Sequence, residues 1–170
     1  KGQLEFIDVI KKLNMKNLLV LFAGDTKNES YARLVQDKIK RDNLTNICKI
    51  LGSMNQDELK TLYQIADLSV SFPLRAEGFG RTISESLFSS TPVLAFDYGG
   101  VKNQLENLSE LFKSKPKDYQ SLPDKIEVIL NLNENQKKEA LQNAQLVIEK
   151  NFSKKNMVNQ YLKLYESVKF

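Results

Sequence analysis

The chain has 170 residues, of which 41% are hydrophobic and 27% are charged, and its formal net charge at pH 7 is +4. This length and composition suit one globular domain with its own core, and they exclude collagen-like, disordered and disulfide-scaffold proteins. The chain contains no histidine, which excludes histidine triads and zinc–histidine sites. Any acid or base in this chain is therefore Glu, Asp, Lys or Tyr.

The single cysteine, Cys48, lies in the apolar stretch 47–51, which favours a small core residue over a nucleophile and indicates a reducing compartment. The longest apolar run covers residues 18–23, whereas a membrane helix needs about 20 residues. No signal peptide is visible, and because the chain lacks an initiating Met we expect it to begin inside a longer protein. These features predict a cytoplasmic location.

The positive charge could favour phosphates, a nucleic acid or an anionic membrane surface. The cations are nearly all Lys and are scattered along predicted helices, so a solvated surface explains most of them. Nucleic-acid binding is not expected, because the few Arg residues are not clustered and no aromatic platform is visible. Peripheral binding at the inner face of a membrane stays open.

The first two-thirds of the chain alternates amphipathic segments with short apolar runs. A Gly or Pro follows several of these runs, and Asn55 with Glu58 resembles a capping box at the start of a helix. The run at 18–23 indicates a strand that is buried on both faces. The predicted helices are 3–13, 29–42, a helix from Asn55 to Ala66, and 81–90, and the predicted strands are 18–23, 46–51, 68–72 and 92–96.

The last third is richer in Lys, Glu and Asn. It predicts a weak strand near Leu111 and Phe112, followed by helices at 118–131, 135–150 and 154–168. The last helix has an apolar stripe that includes Met157, Tyr161, Leu164 and Tyr165. The whole pattern predicts one α/β domain with a Rossmann-like doubly wound parallel sheet, helices on both faces and extra C-terminal helices.

In doubly wound sheets, ligands bind at the carboxyl ends of the strands. In this sequence the segment that follows the third predicted strand carries the most chemistry. Gly78 and Gly80 let the backbone approach a ligand closely, and the next helix starts with free N–H groups and a positive dipole end. Thr82 adds a hydroxyl, and Arg81 adds a cation that opposes the dipole until an anion binds. These features predict a phosphate site.

Two carboxylates, Glu77 and Glu85, flank this predicted phosphate site, and each can accept hydrogen bonds from a pair of neighbouring hydroxyls. The arrangement fits a nucleotide-sugar, which has hydroxyls at both ends and phosphates in the middle. The segment is neither a Walker loop nor a dinucleotide fingerprint, since Gly-Lys-Ser/Thr and G-x-G-x-x-G are both absent. On the residues alone, a tight loop followed by a surface glutamate would explain the pattern equally well.

The run Glu77-Gly78-Phe79-Gly80, with Glu85 eight positions after Glu77, resembles the E-x7-E motif of the retaining glycosyltransferase family 4, also called glycosyl transferases group 1. Segments that resemble this family occur in order along essentially the whole chain. They are 1–2, 22–24, 46–52, 59–67, 91–93, 99–100, 151–153 and 161–165. The ordered set is far more specific than any one of its members.

The resemblance implies a GT-B fold of two Rossmann-like domains, of which residues 1–170 would be the C-terminal, donor-binding one. The N-terminal acceptor-binding domain would be absent from this chain. The function implied is transfer of a hexosyl unit from a nucleotide diphosphate sugar, with UDP as the first guess before GDP and ADP, to a glycan or a lipid-linked acceptor. The isolated domain would bind the donor and transfer poorly or not at all.

The resemblance also implies roles for individual residues. The catalytic ones would be Glu77, on the donor sugar hydroxyls, and Lys1, which would neutralise the leaving diphosphate. The donor-binding ones would be Gly78, Phe79 and Gly80 at the sugar, Arg81 and Thr82 at the diphosphate, Glu85 at the ribose, Ser53 and Met54 at the base, and Gly24 in the first strand-end turn. Neither a metal nor a cofactor is expected, because cations and the helix dipole would stabilise the leaving group.

The sequence departs from the family pattern in three places. The Arg that partners the equivalent of Lys1 is absent, Gly24 is not followed by the common second Gly, and Ser90 replaces a usual Gly. Two alternatives stay open. One is a binding-only donor subunit of a split transferase, and the other is a sugar-nucleotide epimerase with a GT-B fold.

Overall fold

The computed structural model describes residues 1–106 and 108–168. Eight α-helices and five strands are assigned in this part of the chain. The helices are α1 Gln3–Ile10, α2 Glu29–Arg41, α3 Gln56–Ile65, α4 Arg81–Phe88, α5 Gly100–Leu105, α6 Leu122–Leu130, α7 Glu134–Phe152 and α8 Lys154–Ser167. The strands are β1 Val20–Ala23, β2 Cys48–Gly52, β3 Ser69–Ser71, β4 Val93–Phe96 and β5 Lys113–Ser114.

All strand pairs are parallel, as the alternation of helices and strands predicts. β1 pairs with β2, and a second sheet has the order β3-β4-β5. β4 is the best buried strand, and its side chains alternate between two hydrophobic clusters. Leu94 and Phe96 join the cluster that includes α1, α2 and α6 residues, whereas Val93 and Ala95 join the cluster of α4, α5 and α7. Helices therefore cover both faces, and the predicted fold class is confirmed.

Two local predictions are also confirmed. Asn55 and Glu58 form a capping box at the start of α3, with N–H···O distances of 2.9 Å and 2.8 Å. Cys48 is 4% exposed and lies in the core. Burial raises the pKa of its thiol to about 11, so the thiol stays protonated at neutral pH and is not a nucleophile.

The prediction that residues 18–23 form a strand buried on both faces is wrong. The strand begins at Val20, and Val20 and Phe22 pack against the core beneath α1 and α2. Leu19 lies before the strand and is 59% exposed, and Leu34 on α2, predicted to point inward, is 56% exposed. The apolar run is longer than the strand, and none of its six residues is fully buried.

α5 was not predicted, and it begins at Gly100 with Gly99 as its N-cap residue. Its six residues are too few to show helical periodicity in the sequence. The weak strand predicted near Leu111 and Phe112 is also misplaced. Glu110–Phe112 form a 3-10 helix, and β5 follows at Lys113–Ser114 beside β4.

Several helix ends differ from the predicted ones. The helix predicted at 3–13 ends at Ile10, and the helix predicted at 81–90 ends at Phe88, after which Ser90 has a left-handed φ of 64°. α6 starts at Leu122 rather than at 118, because Pro123 fits the first turn of a helix.

The C-terminal helices are present, but the apolar stripe predicted for α8 does not enter the core. Met157, Tyr161, Leu164 and Tyr165 are each more than half exposed. α8 meets the rest of the domain through α7. Within residues 1–106 and 108–168, no helix is both long enough and apolar enough to cross a membrane.

Candidate functional site

The loop that follows β3 docks against the start of α5. Glu77 forms an isolated parallel bridge with Gly99, and the N–H of Gly100 donates to the Glu77 carbonyl at 2.8 Å. The backbones are so close that a Cβ on Gly100 would overlap the carbonyl oxygen of Gly78. The Gly99-Gly100 pair thus does more than turn the chain, because its close packing fixes the loop that carries Glu77.

Lys1 and Glu77, the two predicted catalytic residues, lie together. Gly2 caps α1 with a left-handed φ of 88°, and a Cβ there would overlap the Phe72 carbonyl. This close approach brings the first residue to the carboxyl end of β3, where the Lys1 ammonium forms a hydrogen-bonded ion pair with the Glu77 carboxylate. The Glu77 side chain is 18% exposed and that of Lys1 is 71% exposed, so the pair lies at the rim of the domain.

The start of α4 presents unused hydrogen-bond donors, as the sequence predicts. Gly80 is the buried N-cap residue with φ of 76°, and α4 begins at Arg81. In the described part of the chain, the N–H groups of residues 78–82 donate to no acceptor. With the positive end of the helix dipole and the exposed Arg81 beside them, these groups favour an anion.

Gln104 on α5 holds the loop from behind, and sequence reasoning missed it. Its side-chain Nε2 donates to the carbonyls of Phe79 and Gly80, the latter at 3.3 Å, and its Oε1 accepts from the Ser84 hydroxyl at 2.6 Å. The residue is completely buried. A glutamine in an unpredicted helix resembles a surface residue, so the sequence offers no signal for this contact.

Glu85 lies one turn into α4 and is half-buried. The hydroxyl of Tyr63, on α3, donates to Glu85 Oε2 at 3.4 Å. Burial and the neighbouring Glu85 carboxylate raise the pKa of Tyr63, so its hydroxyl keeps its proton and can act as a donor. Tyr63 is part of the 59–67 segment that resembles the family, but only the structure shows that it orients Glu85.

Gly24, Ser53 and Met54 lie at the ends of β1 and β2. The N–H of Gly24 donates to the carbonyl of Gly52 at 2.9 Å, which ties the two strand ends together. Gly24 and Ser53 are exposed, and Met54 is half-buried. Within the described residues, no side-chain hydrogen bond links these three positions to Glu77 or Glu85.

Phe79 is one of the residues expected at the sugar, through its backbone N–H. Its ring is 39% exposed and packs edge-on against Phe152, at the end of α7, with the ring centroids 5.5 Å apart. Thr82 is exposed, and its hydroxyl lies 3.5 Å from that of Ser71 at the end of β3.

A cavity of about 340 Å³ lies elsewhere, between α7 and the 3-10 helix. Its walls include Leu108, Phe112 and Ala144, and none of the predicted site residues lines it. Gly24 lines a second cavity, of about 80 Å³, between β1 and α2. The Lys1–Glu77 pair and the start of α4 lie at an open edge of the domain.

Comparison with known proteins identifies the family of this chain. The family described as glycosyl transferases group 1 matches residues 1–148. This chain belongs to that family.

Sequence and structure comparisons each find similar proteins. A trehalose synthase of Thermococcus litoralis is 27% identical over 176 residues, covering 98% of this chain and 41% of that protein. The crystal structure of a glycosyltransferase from Rickettsia africae superposes with a TM-score of 0.88 at 26% identity, covering 98% of this chain and 44% of that one. The structure of Anabaena Alr3699/HepE in complex with UDP-glucose gives a TM-score of 0.85 at 25% identity, covering 99% and 46%.

These likenesses identify the fold as a Rossmann-like half of a GT-B fold. The chain spans less than half the length of each of these three relatives.

Proposed function

We propose that this chain is the donor-binding half of a retaining glycosyltransferase of family 4. The whole enzyme would transfer a hexosyl unit from a nucleotide diphosphate sugar to a glycan or lipid acceptor. The observation that carries the proposal is the order of groups along one edge, which runs from the Lys1–Glu77 pair through the free N–H groups of residues 78–82 to Glu85.

Each part of this edge suits one part of a nucleotide-sugar. Glu85, oriented by Tyr63, accepts hydrogen bonds from the ribose hydroxyls, and Glu77 accepts them from the sugar. The free N–H groups at the start of α4 hold the diphosphate, with the cation of Arg81 close by. Lys1 lies near enough to Glu77 to stabilise the negative charge that develops on the leaving diphosphate.

UDP is the first nucleotide to test, and glucose is the first sugar. The support is the Anabaena relative, which was crystallised with UDP-glucose. The name of the trehalose synthase relative supports hexosyl transfer. Ser53 and Met54 would face the base through their backbone, so their side chains leave the choice among UDP, GDP and ADP undetermined.

The acceptor site belongs, in this proposal, to an N-terminal domain outside this chain. The isolated chain would bind the donor and transfer it poorly. We place the enzyme in the cytoplasm, which the free thiol of Cys48 supports. Peripheral binding at the inner face of the membrane is the variant of this proposal that suits a lipid-linked acceptor.

Calorimetric titration with UDP, GDP, ADP and their glucose conjugates, in the presence of EDTA, tests the proposal. Glu85→Gln keeps the shape of the side chain and removes its charge, and we expect it to weaken nucleotide binding about tenfold or more. Glu149→Gln makes the same change on the exposed face of α7 and should leave the affinity unchanged.

Two outcomes would contradict the proposal. One is a folded wild-type chain that binds none of these nucleotides, and the other is equal binding by the wild type and Glu85→Gln. A binding that EDTA abolishes would contradict the metal-free site. Product analysis on the longer protein then distinguishes sugar transfer from epimerisation.

A further inference from the structure

Gln104 is a buried polar side chain behind the donor loop, and all of its amide hydrogen-bonding atoms face that loop or α4. We propose that Gln104 is a positioning residue, which fixes the peptide units of residues 79–81 in the orientation that binds the diphosphate and the sugar. The inference rests on the proposed function, since it concerns the same donor site.

In a trans peptide the carbonyl and the N–H of the next residue point in opposite directions. Nε2 of Gln104 draws the carbonyls of Phe79 and Gly80 toward α5. The N–H groups of Gly80 and Arg81, which follow these carbonyls, are therefore turned away from α5 and toward the open edge.

The backbone fixes only one of these two peptide units. The N–H of Ile83 donates to the Gly80 carbonyl at 3.0 Å, whereas within the described residues the Phe79 carbonyl accepts only from Gln104. The hydrogen bond from Gly100 N–H holds the carbonyl of Glu77, and so orients only the peptide unit between Glu77 and Gly78. Phe79 lies between two glycines, Gly78 and Gly80, whose backbone angles are the least restricted of any residue. The amide of Gln104 supplies the constraint that the sequence of the loop lacks.

The orientation of Gln104 is itself fixed. The carbonyls of Phe79 and Gly80 can only accept, so Nε2 faces them, and Oε1 accepts from the Ser84 hydroxyl at 2.6 Å. A flipped amide would place Oε1 against those carbonyls and lose both hydrogen bonds to them, which is costly in a buried site.

The ribose end of the site does not depend on Gln104. Glu85 is part of α4 and is oriented by Tyr63 from α3. A change in the orientation of these peptide units should therefore weaken contacts with the diphosphate and the sugar, and it should leave contacts with the nucleoside unchanged. This difference separates a positioning role from a general effect on stability.

The test compares two ligands in the Gln104→Met variant, which keeps the length of the side chain and removes its amide. We expect the dissociation constant for UDP-glucose to rise about tenfold, because the Phe79 carbonyl loses its donor and the Gly80 carbonyl keeps only its donor from α4. The dissociation constant for uridine, measured by NMR titration, should change less than about twofold, since its proposed contacts lie on α4 and at the end of β2. If the wild type prefers another base, the corresponding pair replaces these ligands.

Gln145→Met is the matched control. Gln145 Nε2 donates to the carbonyl of Leu87 at 2.7 Å and to the Ser90 hydroxyl at 3.0 Å, at the opposite end of α4. This change should lower the melting temperature without altering the affinity for UDP-glucose. Ser84→Ala, which removes only the hydrogen bond to Oε1 of the amide, is the milder second variant if Gln104→Met does not fold. It should weaken UDP-glucose binding about threefold and spare uridine.

The outcomes distinguish the two proposals. If Glu85→Gln weakens binding but Gln104→Met and Ser84→Ala leave the affinity for UDP-glucose unchanged, or weaken both ligands equally, the positioning role is wrong and the donor site stands. An equal loss of UDP-glucose affinity in Gln145→Met would also overturn the positioning role. A folded wild-type chain that binds no nucleotide-sugar overturns both.

Discussion

Two strand-end regions of this domain are built differently. At the end of β3, the loop of residues 77–80 is held by Gly100, Gln104 and the Lys1 ion pair. At the ends of β1 and β2, Gly24 and Ser53 are exposed, and one backbone hydrogen bond joins the strand ends. In the proposed donor site, the loop at the end of β3 would hold the charged diphosphate in a fixed geometry. The more exposed ends of β1 and β2 would bind the base through the backbone.

The largest expected effect is on the tight packing between Gly100 and the loop of residues 77–80. Gly100→Ala places a methyl group where the carbonyl of Gly78 lies, so the two backbones must move apart. We expect a loss of about 2 kcal/mol or more in the free energy of unfolding, measured with urea. Gly78→Ala is the control, since its Cβ would meet no atom within 4 Å. Equal losses in both variants would show that the contact between loop and helix is not tight.

The second prediction distinguishes contacts with the donor sugar from contacts with the nucleotide. Glu77→Gln should weaken binding of UDP-glucose about tenfold, because a charged acceptor for the sugar hydroxyls is lost. Binding of UDP, which has no sugar at that position, should stay within about twofold of the wild type. Calorimetry with both ligands gives the ratio. A parallel loss of UDP affinity would place Glu77 at the phosphates instead.

A smaller effect is expected where α3 supports α4. Tyr63→Phe removes the hydroxyl that donates to Glu85, and the nucleotide affinity should fall about threefold, as for one neutral donor to a carboxylate. Tyr161→Phe, on the exposed face of α8, is the matched change and should have no effect. An unaltered affinity in Tyr63→Phe would mean that Glu85 is oriented without it.

The smallest effect is expected at the ends of β1 and β2. Ser53→Ala removes an exposed hydroxyl, and we expect nucleotide affinity to change less than about twofold, because the proposal assigns base contacts to the backbone there. A loss as large as that of Glu85→Gln would show a specific side-chain contact with the base. The two ends of the site would then be equally dependent on side chains.

Residues around the end of β3 differ in how well the sequence predicts their positions and contacts. Glu77, Glu85 and the start of α4 were predictable, because glycines, a helix start and two carboxylates occur in one continuous segment. Gln104 and Tyr63 were not, since their roles arise from contacts across 20 or more positions in the chain that only the tertiary fold creates. α5 itself was missed, because a six-residue helix that begins at the second residue of a Gly-Gly pair has too little pattern to distinguish it from a turn.

The β1 region shows the opposite error. The apolar run 18–23 predicts more burial than the structure has, because periodicity reports hydrophobicity and not the presence of a covering element. The exposed apolar side of α8 has the same origin. In both places the sequence pattern correctly predicts the type of element and wrongly predicts what packs against it.

The most direct test of the central claim is a titration of the isotope-labelled chain with UDP-glucose, followed by amide nitrogen–proton correlation spectra. If residues 78–85 bind the donor, the largest chemical-shift changes occur at their amides, with smaller changes at Ser53 and Met54. Shifts confined to the cavity near Leu108 and Ala144, with residues 78–85 unchanged, would contradict the assignment of the donor site.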